Sequence, residues 1–159
     1  MRALIQRVSS AQVTVDGEVT GAIAAGLLVL VGIHRDDTRD DGDWLIKKLL
    51  SLRIFEDDAG KMGRSIQDIQ GELLAVSQFT LYGELNKGTR PDFGAAMPGI
   101  LAKPFFEEWI KQLRLSTAIK IAEGRFAAKM RVELINDGPV TLMIDSKKPG
   151  ANLDPQQIT

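Results

Sequence analysis

The stretch Gly26-Leu27-Leu28-Val29-Leu30-Val31-Gly32-Ile33 carries no polar side chain at any position. Its length is that of a strand, far short of a membrane span. A strand of this kind is buried on both faces, so the chain must supply cover above and below it. Neighbouring segments supply more strand. Arg2 to Val8 alternates apolar and polar residues. Gln12 to Val15 and Glu18 to Ile23 flank Asp16-Gly17, a two-residue hairpin signal because both turn positions tolerate positive φ.

Two stretches read as helices. Asp40 to Leu52 has acidic residues in its first turn, and Trp44, Leu45, Leu49 and Leu52 share one face. Pro104 is expected to open the second, where a missing N–H costs little. Phe105, Phe106, Trp109, Ile110 and Leu113 form its apolar stripe. Further strands are expected over 53–55, 72–78, 120–123, 131–136 and 140–145. Residues 82–97 form a long irregular stretch rich in Gly, Lys, Arg and Pro, and such loops inside domains are often functional. The tail from Ser146 is polar and is expected to be mobile unless a partner orders it.

With 159 residues, the chain fits one domain with a full core. No apolar run reaches membrane-spanning length, and the N-terminus enters strand alternation at once, without a signal-peptide apolar region. These features predict a cytoplasmic protein that makes no use of a membrane. The absence of cysteine excludes thiol catalysis, thiolate metal sites and iron–sulfur clusters. His34 is the only histidine, which excludes a multi-histidine zinc site within one chain. It reads as a strand-end residue in a solvated loop; a Ser-His-Asp triad would have to use it. Glu56-Asp57-Asp58 lacks the ligand spacing of a calcium loop. No cofactor or metal is expected.

The formal net charge is −1, so any nucleic-acid contact must be local. Lys47, Lys48, Arg53, Lys61, Arg64, Lys87 and Arg90 are candidates, and an ordinary mixed-charge surface explains them equally.

Two segments place special residues at strand edges. Ser77-Gln78-Phe79-Thr80-Leu81 follows Leu73-Leu74-Ala75-Val76, and Asn136-Asp137-Gly138-Pro139 precedes Val140-Thr141-Leu142-Met143-Ile144. Ser77 and Thr80 have no obvious base, so nucleophilic use is in question. Gly138-Pro139 has hairpin-turn composition, and an X-Pro bond can also be cis.

Together, Ser77-Gln78-Phe79-Thr80-Leu81 and Asn136-Asp137-Gly138-Pro139-Val140-Thr141 resemble the signature pair of the D-aminoacyl-tRNA deacylases. The resemblance runs from Met1 to about Ser146. It includes Ala3-Leu4-Ile5-Gln6-Arg7-Val8, Arg53-Ile54-Phe55-Glu56-Asp57, Arg90-Pro91 and Gly124-Arg125-Phe126 with Met130. Asp92, Gly63-Arg64 and Lys129 depart from the family's usual residues, and Lys129 stands where an acid is usual.

The resemblance implies an α/β fold: one strand-rich mixed domain over residues 1–146, with a barrel-like sheet and two main helices, homodimeric, followed by a polar tail over 147–159. It implies hydrolysis of the ester of D-aminoacyl-tRNA, and of glycyl-tRNA, in translation quality control. Ser77, Gln78, Phe79 and Thr80 would form the catalytic segment. Gly138 and Pro139, reaching across subunits with a cis bond, would reject L-aminoacyl-tRNA, and Phe126 and Met130 would line the pocket. The partners implied are tRNA and a second copy of the chain. Two other readings remain open: a non-catalytic RNA-binding module, and a small-molecule hydrolase.

Overall fold

The computed structural model describes residues 1–85 and 88–147. Strand β1 (Arg2–Val15) turns at Asp16 (φ 52°) and Gly17 (φ 87°) into β2 (Glu18–Ile23). Both turn residues thus take the left-handed backbone that a tight two-residue hairpin requires. β3 (Gly26–Gly32) returns along the first half of β1. After helix α1 (Arg39–Ser51), β4 (Phe55–Glu56) and β5 (Met62–Arg64) pair as a small separate ribbon. β6 (Glu72–Ser77) then lies parallel to β3, and a 3-10 turn over Phe79–Tyr82 follows it. Helix α2 (Gly99–Leu115) leads to β7 (Ile121–Glu123), parallel to β6, and to β8 (Arg131–Asp145), antiparallel to β1.

The resulting sheet is mixed and nearly closes into a barrel. Its order is β2-β1-β3-β6-β7, with β8 on the other edge of β1. β2 comes back close to β7: a Cβ at Gly21 would lie 2.5 Å from the carbonyl oxygen of Glu123. Val8, Val13, Val15, Ile23, Leu28, Leu74 and Val76 fill the concave face. The other face packs against both helices through Ala3, Ile5, Leu27, Val29, Leu73 and Ala75. Neighbouring residues of β3 therefore go to opposite cores, which is why the whole run had to be apolar.

Both helices bury the expected faces. Leu45 and Leu49 of α1 and Phe106, Trp109, Ile110 and Leu113 of α2 are buried. Asp41 accepts the backbone N–H of Thr38 at 2.9 Å, which fixes the start of α1. Trp109 Nε1 donates to the Gly42 carbonyl at 3.1 Å, joining the helices. α2 begins five residues before the expected Pro104 (Gly99 against 104), because Pro98 caps it and accepts the N–H groups of Leu101 and Ala102, each at 2.9 Å. Pro104 lies inside the helix and leaves the carbonyl of Ile100 without its intrahelical donor. Ile100 is 85% exposed, so water can reach that turn.

The largest departure concerns β8. The two strands expected over 131–136 and 140–145 are one strand along β1, and no hairpin separates them. Val8 pairs with Asn136 and Gln6 with Thr141, so Arg7 alone stands opposite Asp137, Gly138, Pro139 and Val140. The excess residues form a wide bulge. Pro139 cannot donate to the ladder and Gly138 has φ +113°, so neither continues it. The cis bond expected at Gly138-Pro139 is absent: the described residues contain no cis peptide bond. Trans is the favoured isomer, and the positive φ of Gly138 makes the turn instead.

Ser146 and Lys147, the first residues of the stretch expected to be mobile, are held in place. Ser146 donates to Asp41 at 2.7 Å and Lys147 pairs with the same carboxylate at 2.8 Å. The rest of the expected tail, and Lys87, lie outside the described residues.

Candidate active site

A cavity of about 820 Å³ opens at the carboxyl ends of the parallel strands β3 and β6. Strand ends of parallel sheets are the usual ligand position, because the chain leaves the ladder there and its loops face solvent. Val31 and Ile33 come from the end of β3, and Val76 and Ser77 from β6. Gln78 and Phe79 form the next part of the wall. The segment 93–99 and Ala102 of α2 close one side. Phe126 and Met130, with their neighbours, close the other.

The catalytic segment is built by a change of local structure. Gln78 donates its backbone N–H to Val31 at 2.7 Å, the last bond before the 3-10 turn begins. The turn is closed by Leu81 N–H to Gln78 O (3.3 Å) and Gly83 N–H to Thr80 O (3.0 Å). The backbone N–H groups of Phe79 and Thr80 have no acceptor among the described residues, as expected for the opening of a helical turn. Gln78 Nε2 donates to Thr80 Oγ1.

Five of the eight expected site residues lie on this cavity: Ser77, Gln78, Phe79, Phe126 and Met130. Phe126 also packs on Phe106, with ring centroids 6.0 Å apart, so it serves core and cavity together. Thr80 is exposed and lies just beyond the lining. Gly138 and Pro139 are exposed and line no part of the cavity of their own chain.

Among the described residues no Asp, Glu, His, Lys, Arg or Tyr lines the cavity. The polar side chains of the described lining are the Ser77 hydroxyl and the Gln78 amide; its other polar groups are backbone. His34 lines a separate cavity with Arg2 and Tyr82, and its Nδ1 accepts the backbone N–H of Asp36 at 3.2 Å. A histidine-based triad is therefore not assembled. Next to it, burial, and then the charges of Asp37 and Asp145, push the Tyr82 phenol well above its ordinary value.

Sequence reasoning passed over Arg7. It is 5% exposed, donates to Ile54 O at 2.7 Å and Asp137 O at 3.2 Å, and pairs with the Asp137 carboxylate at 3.1 Å. The signal was present: Ala3, Ile5 and Arg7 occupy the buried parity of β1. Phe93, the other missed wall, stacks edge-on against Phe79 with centroids 5.0 Å apart.

Fold and cavity together define an α/β protein with a largely apolar cavity and a few unpaired backbone donors at its strand ends. The family model for D-Tyr-tRNA(Tyr) deacylase matches residues 4–145. A D-aminoacyl-tRNA deacylase of Desulfitobacterium hafniense (strain DSM 10664 / DCB-2) is 52% identical over 148 residues, 93% of this chain and 99% of that protein. A solved structure described as c-Myc DNA Unwinding Element Binding Protein is 44% identical and superposes with a TM-score of 0.87, covering 91% of this chain and 98% of that one. Another, described as a probable eukaryotic D-amino acid tRNA deacylase, shares 16% identity at a TM-score of 0.79 over 90% and 97% of the two chains; it shows the same fold. The chain belongs to the D-Tyr-tRNA(Tyr) deacylase family and is an enzyme of that family, a hydrolase.

Proposed function

We propose that this enzyme hydrolyses the ester joining a D-amino acid to the 3′ end of tRNA, that glycyl-tRNA is a second substrate, and that L-aminoacyl-tRNA is rejected. The observation that carries the mechanism is that the described lining of the cavity offers two polar side chains, the Ser77 hydroxyl and the Gln78 amide, and no titratable one. An aminoacyl ester is already activated, so a polarised carbonyl and a placed water suffice. The free N–H groups of Phe79 and Thr80 take the carbonyl oxygen as it gains negative charge. Water adds to the carbonyl carbon, the bond to the ribose 3′-oxygen breaks, and the water's proton passes to that oxygen. The terminal ribose 2′-hydroxyl assists the water. Ser77 and Gln78 position the acyl group, and Phe126 and Met130 bound it.

A second copy of the chain belongs to this reading. The outer edge of β8 has no partner strand among the described residues, and Ile135 and Met143 on it are 63% and 49% exposed. The Asp137–Pro139 apex is also exposed, and from a second copy it would narrow the cavity against an L side chain. Without a cis bond at Gly138-Pro139 the proposed rejection does not use two cis-aligned carbonyls, and the reading is steric exclusion alone. A cytoplasmic location follows from the substrate. Among the described residues no helix is long and apolar enough to cross a membrane.

Turnover of matched D-, L- and glycyl-tRNA, with a free D-amino-acid ester as control, tests the reading. D-specific release supports it, and tight binding without turnover points to a binding module. Equal turnover of the free ester points to a small-molecule hydrolase. Thr80→Val should retain near-native deacylation. A loss of several orders of magnitude with binding intact would make the Thr80 hydroxyl the nucleophile.

A further inference from the structure

The segment that forms one wall of the cavity carries cations that the described lining itself lacks. Phe126, Ala127, Ala128, Met130 and Val132 line the cavity; Arg125 directly precedes them, and Lys129 and Arg131 alternate with them along the chain. All three cations are exposed, and none of their side chains has a hydrogen-bond or ion-pair partner among the described residues. The acids nearest in sequence are already engaged: Glu123 pairs with Arg114 at 3.0 Å, and Glu133 accepts from Gln12 at 2.7 Å. The segment is also fixed. Ala128 N–H bonds to Arg125 O at 3.2 Å, Ala127 has φ +59°, and Arg131 is paired in register with Thr14.

The opposite edge differs. Arg90 and Asp92 precede Phe93, which lines the opposite wall, and Arg35 donates to Gly94 O at 3.4 Å. Asp92 is committed to its own loop, accepting the backbone N–H of Gly94 at 2.8 Å. Among the described residues that edge offers fewer free cations, with a carboxylate beside them.

We propose that Arg125, Lys129 and Arg131 form a phosphate rail that takes the single-stranded 3′ end of the RNA as it leaves the cavity. The inference rests on the proposed tRNA-ester activity and deepens it. A chain with net charge −1 cannot hold RNA by its overall field, so free cations at the cavity mouth must supply the attraction. Three exposed cations beside backbone phosphates release counterions, which makes binding salt-dependent. An ester whose alcohol is adenosine alone has no phosphate and gains nothing from them.

The test compares two substrates, D-tyrosyl-tRNA and 3′-O-D-tyrosyl-adenosine, with the wild-type chain and the variant Arg125→Gln/Lys129→Gln/Arg131→Gln. The variant should raise KM for the tRNA substrate about tenfold or more at low salt. It should also flatten the log–log salt dependence by roughly 2, the amount expected from about 0.7 per phosphate contact on a single strand. Turnover of the adenosine ester should be unchanged, which also reports that the fold is intact. If the wild-type chain hydrolyses both esters and the variant keeps its tRNA KM and salt slope, the rail is wrong while the enzyme reading stands. Equal loss on both substrates would also sink it, because the cations would then act through the cavity and not through phosphate. If Arg90→Gln moves the salt slope and the triple variant does not, the RNA leaves by the other edge. Wild-type failure on both esters would overturn the activity itself.

Discussion

Arg7 and Asp137 are bound twice: the guanidinium meets the Asp137 carboxylate at 3.1 Å and its backbone carbonyl at 3.2 Å. This link ties the interior of β1 to the exposed bulge of β8. Asn136 closes the other side, donating to Arg7 O at 2.9 Å and Val140 O at 3.1 Å. Replacing Arg7 with Met keeps the apolar stem but strands the buried carbonyl of Ile54 and gives up the bond to the more exposed carbonyl of Asp137. The expected cost is about 2–4 kcal/mol in urea unfolding, since an unsatisfied buried acceptor costs roughly 1–3 kcal/mol. Asp137→Asn should cost less than about 1 kcal/mol, because that side chain is 57% exposed. If both variants unfolded at the same urea concentration as wild type, Arg7 would not be the anchor of the bulge.

Gly138 sits against the same guanidinium. A Cβ there would lie 2.6 Å from Arg7 Nη2 and 2.9 Å from Val140 Cγ2, on a residue whose φ is +113°. Arg7 is pinned by its bonds to Ile54 and Asp137, so it cannot simply swing aside. Gly138→Ala should therefore destabilise by more than about 1 kcal/mol, beyond the entropy it removes from the unfolded chain. Gly17→Ala is the useful comparison, since Gly17 also has positive φ but a Cβ added there would meet nothing within 4 Å. A larger loss at Gly17 than at Gly138 would show that backbone strain alone, and not the contact with Arg7, governs the bulge.

Much of this arrangement was readable from sequence where one residue type admitted one structure. Asp16-Gly17 could only be a tight turn, and the run Gly26 to Ile33 could only be buried on both faces. The bulge of β8 was not readable in the same way. Asn-Asp-Gly-Pro has the composition of a hairpin turn, and composition does not report that both flanks pair with one strand 130 positions away (Arg7 to Asp137). Arg7 was hidden for the opposite reason: its parity marked it as buried, but its type suggested solvent. Ser77, Gln78 and Phe79 were found through their motif, whereas Phe93 and Met97 reach the cavity from an irregular stretch with no period to read.

Asp41 links the start of α1 to the end of β8 and makes stability depend on pH. Burial alone would raise its pKa. Hydrogen bonds from Lys147, Thr38 and Ser146 outweigh that and hold the carboxyl well below the usual range. A carboxyl depressed in the folded state contributes stability that is present above its unfolded pKa, near 4, and is lost as pH falls through the folded value. Asp41→Asn should thus destabilise at pH 7, and the gap from wild type should narrow progressively below about pH 4. Urea midpoints for both chains between pH 7 and pH 2 read this directly. A constant gap across the range would mean that ionisation of Asp41 does not contribute.

Tyr82 presents the reverse case, a buried polar group with nothing to bind. Its hydroxyl has no hydrogen-bond partner among the described residues, although the residue is only 5% exposed. The ring is well used: the Arg2 guanidinium lies 4.6 Å from its centroid and the His34 ring 5.2 Å away. Its edge also fills the space beside Gly32, where a Cβ would come within 3.1 Å of Cδ2 and Cε2. Removing the hydroxyl while keeping the ring removes an unmet desolvation cost, so Tyr82→Phe should be as stable as wild type or more so. Tyr82→Ala, which empties the site, should cost about 3–5 kcal/mol. Because Tyr82 closes the 3-10 turn that carries Phe79 and Thr80, Tyr82→Phe should also leave deacylation near wild-type, while Tyr82→Ala should lower it. A Tyr82→Phe variant destabilised by more than about 1 kcal/mol would show that the hydroxyl is bonded, on the scale of an ordinary buried hydrogen bond.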